Sequence, residues 1–154
     1  MPGKNISATE RTLGYLLRRP YETLQAQVYG QLAGRGFPDI RPAHSAVFRF
    51  IAPAGSRVSE LAERAQMTKQ SMSYLVEALA GGGYVTVGPD PEDGRAKRVR
   101  LTARGRAVSE ALVALSRKVE AGFAARLPPG RMAALRDLLG ELTEALEKEA
   151  AGAP

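Results

Sequence analysis

Residues 58–85, VSELAERAQMTKQSMSYLVEALAGGGYV, hold two short amphipathic segments with room between them only for a tight turn. No other stretch limits the fold as strongly. Ser59 reads as the first helix cap, with Leu61, Ala62 and Ala65 facing inward. Thr68 reads as the second cap, Met72, Leu75, Val76 and Leu79 as its apolar set, and Gly81–Gly83 as its end. Two helices at this spacing form a helix-turn-helix. At about 100° per residue the second apolar set occupies a sector of roughly 100°. The opposite face carries Gln70, Ser73, Tyr74 and Glu77, flanked by Lys69 and Ser71.

The next stretch, GPDPEDGRAKRVRLT at 88–102, is too polar and too rich in turn residues for core, yet it ends in the alternation of a strand. YVTV and RVRL predict two strands around it, with Val85 and Val87 facing the core from one and Val99 and Leu101 from the other. The result is a wing. Arg95 lies near its tip, with Lys97, Arg98 and Arg100 behind, and Pro89 and Pro91 stiffen the approach. Asp93 is expected to pair with a neighbouring arginine or to cap the turn, and so to aim Arg95. This pattern suits DNA. Small polar groups on the first turn of a helix fit the major groove, where Gln70 can pair with adenine and Ser71 or Ser73 can reach a base edge or phosphate. Thr68 and the free amides beside it suit a phosphate oxygen. An arginine on a hairpin can enter the minor groove, where A·T-rich DNA concentrates negative potential. A merely solvated helix face is the plain alternative.

Around this lobe lie longer helical patterns. Leu13, Leu17, Tyr21, Leu24, Val28 and Leu32 form one stripe, in which Pro20 predicts a kink or a late helix start. RPAHSAVFRFI predicts a short helix with Pro42 near its first turn, and APAGSR a loop. From a cap at Thr102, a long helix carries Val108, Leu112, Leu115, Val119 and Phe123. LPPG breaks it, a last helix carries Met132, Leu135, Leu138, Leu139, Leu142 and Leu146, and AAGAP reads as a frayed tail. The expected fold class is mainly α (α+β), with a winged helix-turn-helix lobe over 43–102 and dimerisation helices over 10–36 and 103–149. The outer seams bear more apolar surface than a small lobe can cover, which predicts a two-fold symmetric homodimer.

Twenty-two Lys+Arg against sixteen Asp+Glu give a net charge of +6, which attracts phosphates of nucleic acid, lipid or nucleotide, or serves solubility alone. The chain has no cysteine, so disulfides and thiolate metal sites are excluded. Its one histidine, His44, has no partners for a catalytic triad or zinc site, and no Walker A sequence occurs. Neither an enzyme, a metal nor a cofactor is therefore expected. No run approaches bilayer length, and MPGKNISATER lacks an apolar signal core, so no membrane association and a cytoplasmic location are expected. Tyr29, Phe37, Arg41, His44 and Phe48 form a candidate effector pocket. In it Arg41 and His44 would take a small anionic aromatic compound between apolar walls.

In this order and at this distance, VSELAERAQMTKQSMSYLVEALAGGGYV and PDPEDGRAKRVRLTARGR resemble the MarR-type winged-helix transcriptional regulators. The family's wing signature of Asp, any residue, Arg is met by Asp93 and Arg95, and the resemblance covers 43–110 closely. It implies a triangular helical dimer whose first and last two helices make the interface. The helix over 68–80 would enter the major groove and the wing the adjacent minor groove of a pseudo-palindromic operator. A small molecule bound between the dimer helices and the lobe would weaken DNA binding. The chain departs from the family's usual pattern at Tyr74, where many relatives carry arginine, and at Arg98, where an apolar residue is commoner. Tyr74 could replace the lost contact by meeting a thymine methyl. The alternative function is a protein-interaction module built on a winged helix without specific DNA binding.

Overall fold

The computed structural model describes residues 11–153, so glutamate 10 of the expected first dimerisation segment and nearly all of MPGKNISATER lie outside the described residues. The elements run α1 (Leu13–Gly30), two 3-10 turns (Ala33–Arg35 and Pro42–His44), α2 (Ser45–Phe50), β1 (Ser56–Arg57), α3 (Val58–Arg64) and α4 (Lys69–Gly81). They continue with β2 (Val85–Pro89), β3 (Lys97–Leu101), α5 (Ala103–Ala124) and α6 (Arg131–Gly152). The chain divides into two compact units at Ser116/Arg117, within α5. Among the described residues no helix is long and apolar enough to cross a membrane.

The first unit is built around the helix-turn-helix. Leu61 and Ala62 of α3 and Met72, Leu75, Val76 and Leu79 of α4 are buried together with Val28, Leu32, Val47, Val99, Val108 and Leu115. Burying one such aliphatic side chain contributes about 1.5–3 kcal/mol, so this shared core fixes α4 firmly. Three antiparallel strands in the order β1-β3-β2 close the unit, with Val85 opposite Leu101 and Val87 opposite Val99. β1 is an addition to the sequence expectation: APAGSR was expected as loop, yet Ser56 pairs with Val99 and Arg57 with Arg98. Gly55 makes this possible. Its φ is +92°, and a Cβ there would lie 2.6 Å from the Val99 carbonyl oxygen.

Several local expectations change. Val85 and Val99 are core, but Val87, opposite Val99, is 41% exposed: Val99 lies on the central strand β3, flanked on both sides, whereas Val87 lies on the edge strand β2. α1 starts ahead of Pro20 and runs through it: Thr12 supplies the cap, its Oγ1 accepting the Tyr15 N–H at 3.4 Å. A single missing N–H does not end a helix already capped upstream. α3 begins at Val58, one residue before the expected cap Ser59, because the Glu60 carboxylate accepts the Arg57 N–H at 3.0 Å. Thr102 caps α5 as expected, its Oγ1 accepting the Gly105 N–H at 3.1 Å.

The second unit contains the C-terminal part of α5 and α6. α6 continues to Gly152, through most of the stretch expected to fray. None of its side chains is buried, and Leu135, Leu138, Leu139, Leu142 and Leu146 are all exposed. Arg136 and Glu120 form an ion pair at 2.7 Å.

Candidate nucleic-acid interface

α4 owes its start to Thr68, whose Oγ1 accepts the Ser71 N–H at 3.1 Å and donates to Ser71 Oγ at 2.8 Å. Ser71 therefore serves the cap, while the amides of Lys69 and Gln70 are left at the helix's positive end. Thr68, Lys69, Gln70, Ser71 and Tyr74 are exposed and Ser73 is half-buried, so the six expected residues share one accessible surface. Tyr74 is 74% exposed, a large apolar ring held in water beside Gln70 on the next turn.

The β2–β3 hairpin is the expected wing, and its tip is organised by two aspartates. Asp93 caps the turn, as one of the two expected roles required: its Oδ1 accepts the Arg95 N–H at 3.0 Å and its carbonyl accepts the Ala96 N–H at 3.0 Å. It forms no ion pair among the described residues. That role falls to Asp90, which sequence reasoning missed. Asp90 Oδ2 accepts from Arg57 Nε at 2.9 Å and from Arg98 Nε at 3.1 Å and Nη2 at 3.0 Å. Its Oδ1 accepts the N–H groups of Glu92 (2.8 Å) and Asp93 (3.3 Å). The Arg57 guanidinium, the Glu92 amide and the Arg98 guanidinium together hold the Asp90 carboxyl far below the usual carboxylate range.

This network divides the wing's cations into paired and unpaired ones among the described residues. Arg98 was expected to face DNA. Instead its side chain is only 17% exposed, spent on Asp90 and on the Gly55 carbonyl at 3.3 Å. Arg95 and Lys97 remain exposed, and among the described residues their side chains form no ion pair or hydrogen bond. With Lys69, Ser73, Arg57 and Ser59 they line a polar cleft of about 330 Å³ between wing and helix. Lys69, Arg95 and Lys97, with the Asp90-bound Arg57 beside them, give this groove a positive lining of the kind that suits phosphate oxygens, continuous with the exposed face of α4. Ser59 and Arg57 enter this set through tertiary structure alone.

A second cleft, about 280 Å³, lies between α1, α2 and α5 and is lined by Tyr21, Leu24, Gln25, Val28, Tyr29, Ser45, Phe48, Arg49, Ser109, Leu112, Val113 and Ser116. Tyr29 and Phe48 of the expected effector set belong to it; Phe37, Arg41 and His44 do not. His44 is buried, its Nδ1 accepting the Arg41 N–H at 2.9 Å, and burial lowers its pKa. Arg41 turns to the Pro38 carbonyl at 2.8 Å. Phe37 packs edge-on to Tyr84 with centroids 6.2 Å apart, and the Arg104 guanidinium lies 5.6 Å from the Phe37 ring and 4.7 Å from that of Tyr84. Tyr84 donates to Asp39, closing a junction rather than a pocket. The cation of the cleft is Arg49. Tyr21, Gln25 and Tyr29 recur at spacing four, a stripe visible in the sequence that could have marked this wall.

The chain is similar to known proteins in sequence and in fold. A model of the MarR family matches residues 39–96, which span the lobe from the junction to the wing tip. The HTH-type transcriptional repressor Rv2887 of Mycobacterium tuberculosis (strain ATCC 25618 / H37Rv) is 30% identical over 135 residues, 88% of this chain and 96% of the relative. The exopolysaccharide II synthesis transcriptional activator ExpG of Rhizobium meliloti (strain 1021) is 29% identical over 104 residues, 68% of this chain and 54% of its own. Among solved structures, the Mycobacterium tuberculosis MarR family protein Rv2887 in complex with salicylic acid superposes with a TM-score of 0.64 at 30% identity, over 85% of this chain and 96% of that one. The transcriptional regulator Tm0710 from Thermotoga maritima gives 0.65 at 25% identity, over 94% and 98%. A helix-turn-helix with a free polar face, a cation-tipped hairpin beside it and relatedness along most of the chain lead to one conclusion: the protein is a transcriptional regulator of the MarR family.

Proposed function

We propose that the chain acts in the cytoplasm as a homodimeric repressor on a pseudo-palindromic operator, α4 entering the major groove and the wing the adjacent minor groove. The carrying observation is the continuity of α4's exposed face, Gln70, Ser73 and Tyr74, with the cleft of Lys69, Arg57, Arg95 and Lys97. Gln70 addresses a base edge, Ser73 and the helix amides address phosphate, and Arg95 reaches into the narrow groove. The exposed leucines of α1 and, separately, those of α6 support pairing with a second copy. The mycobacterial relatives named as repressors support this sign of regulation.

The test is selection of genomic fragments bound by the purified protein, followed by footprinting of the recovered duplex. A two-fold symmetric site with half-sites about one turn, roughly 34 Å, apart is expected. Recovery of no duplex above background even in dilute buffer would leave the protein-interaction reading in its place.

The cleft beside Arg49 supports an effector reading. Tyr29 and Phe48 offer ring faces, Arg49 a positive charge, and Tyr21, Gln25 and Ser116 polar edges, which together suit a small anionic aromatic compound. That the related Rv2887 is solved with salicylic acid supports the ligand class. Salicylate is expected to release the wild-type protein from its selected duplex and to lose that effect in Arg49→Met. Equal release from both would remove Arg49 from the site.

A further inference from the structure

We propose that Asp90 is a positioning residue for DNA recognition: without touching DNA, it ties the wing to the start of α3 and turns Arg98 inward, leaving Arg95 and Lys97 as the wing's DNA-facing cations. The proposal rests on the DNA-binding reading above. Its ground is the geometry of one fully buried carboxylate. Oδ2 holds Arg57 from β1, at the cap of α3, and Arg98 from β3, while Oδ1 holds the amides of Glu92 and Asp93 at the tip. The Asp90 N–H donates to the Ala96 carbonyl at 3.0 Å, closing the loop from its other side. One residue thus fixes the hairpin to its neighbour, the tip to the hairpin, and a cation away from solvent.

A two-stranded hairpin alone is marginally ordered in water. An arginine on a loose hairpin loses conformational freedom on entering a groove, and that loss lowers affinity; a preorganised one avoids it. Removing the Asp90 charge has two consequences. The tip loosens, which weakens the contact of Arg95 with its preferred site. Arg98 is released toward solvent, where it attracts any phosphate. Operator affinity falls, while attraction to unrelated DNA becomes steeper in salt.

The experiment is a double-mutant cycle of Asp90→Asn with Arg95→Ala. Affinity is measured for the duplex selected by the wild-type protein and for a 30-base-pair duplex of random sequence. Asp90→Asn is expected to weaken binding to the selected duplex about tenfold in the wild-type background, but less than about threefold when Arg95 is already alanine. On the random duplex it is expected to steepen the salt slope by at least about 2 per dimer, since Asp90 holds two arginines and at least one cation per subunit is freed. Equal losses in both backgrounds, or an unchanged random-duplex slope in a folded dimer, would overturn the proposal. Should Asp90→Asn fail to fold, Arg98→Gln decides the matter. Its random-duplex slope is expected to equal that of wild type, and a slope shallower by about 2 would show Arg98 as a phosphate contact and refute the inward role. A wild-type protein that selects no duplex would instead strike the DNA reading itself.

Discussion

Arg95 stands at the wing tip with its backbone fixed by Asp93 and its guanidinium free, and on that contrast its role depends. Truncation removes a charge without disturbing a packed group, so Arg95→Ala should leave the melting temperature within a degree or two while weakening operator binding by about 1–3 kcal/mol. The salt slope should become shallower by about 2 per dimer, which titration of DNA binding against potassium chloride reads directly. His44 gives a second prediction at this scale. Burial lowers its pKa below the ordinary 6.5, and its Nδ1 must be unprotonated to accept the Arg41 N–H. Between the lowered value and 6.5 the unfolded chain binds the proton more readily than the folded one, so stability rises with pH across that window and falls on acidification. His44 is the chain's single histidine. Melting temperature should therefore drop between pH 7.5 and pH 5.5 in wild type, and His44→Gln should flatten that slope; an equal slope in both would place the titration elsewhere.

Among the elements, α5 depends on a close approach of its first turn to the backbone just ahead of β2. The Thr102 N–H donates to the Tyr84 carbonyl at 3.0 Å, and a Cβ on Gly105 would lie 2.0 Å from that same carbonyl oxygen. Gly105→Ala should push α5 off the start of β2 and destabilise the protein by about 1–3 kcal/mol, despite the better helix propensity of alanine. A chemical denaturation curve measures this; a neutral or stabilising substitution would show that α5 can shift without loss. That contact was not legible in the sequence, whereas the elements it joins were. Met72, Leu75, Val76 and Leu79 recur at helical spacing, so α4 and its outward face followed from periodicity, and Thr68 and Thr102 announced their caps by position. The wing followed from turn residues between alternating strands. What escaped was pairing at long range. Asp90 and Arg57 are 33 residues apart and meet only once β1 has paired with β3, itself a two-residue strand held by Gly55. Arg98 and Lys97 look alike in a list of bases, and only that buried carboxylate separates an inward cation from an outward one. The cleft between α1, α2 and α5, proposed above for an effector, was half legible for the same reason: Tyr29 and Phe48 lie on it, but Arg49, not Arg41 or His44, brings the charge.

For the whole molecule the decisive quantity is how much apolar surface each chain leaves wet. α6 runs 22 residues with no buried side chain, and Leu138, 63% exposed, lies on its stripe with Leu135, Leu142 and Leu146; the first turns of α1 expose Leu13, Leu16, Leu17 and Tyr21. At about 25 cal/mol per Å² of apolar surface, the leucine stripe of α6 taken by itself favours burial against an identical copy, which a two-fold axis would match stripe to stripe. The two lobes of the proposed dimer would bind one duplex as a linked pair, which raises overall affinity by about 10²–10⁴ over a single lobe without any new contact. Leu138→Glu places a charge in that surface on both copies at once, where it is uncompensated and repels its symmetry mate. Sedimentation at micromolar concentration should then show a monomer. Because the first unit keeps its own core, the helix-turn-helix should stay folded and retain weak binding to random DNA while operator affinity falls by at least about a hundredfold. A variant that sediments as a dimer with operator affinity intact would show that the leucine stripe of α6 is not the surface that pairs the two chains.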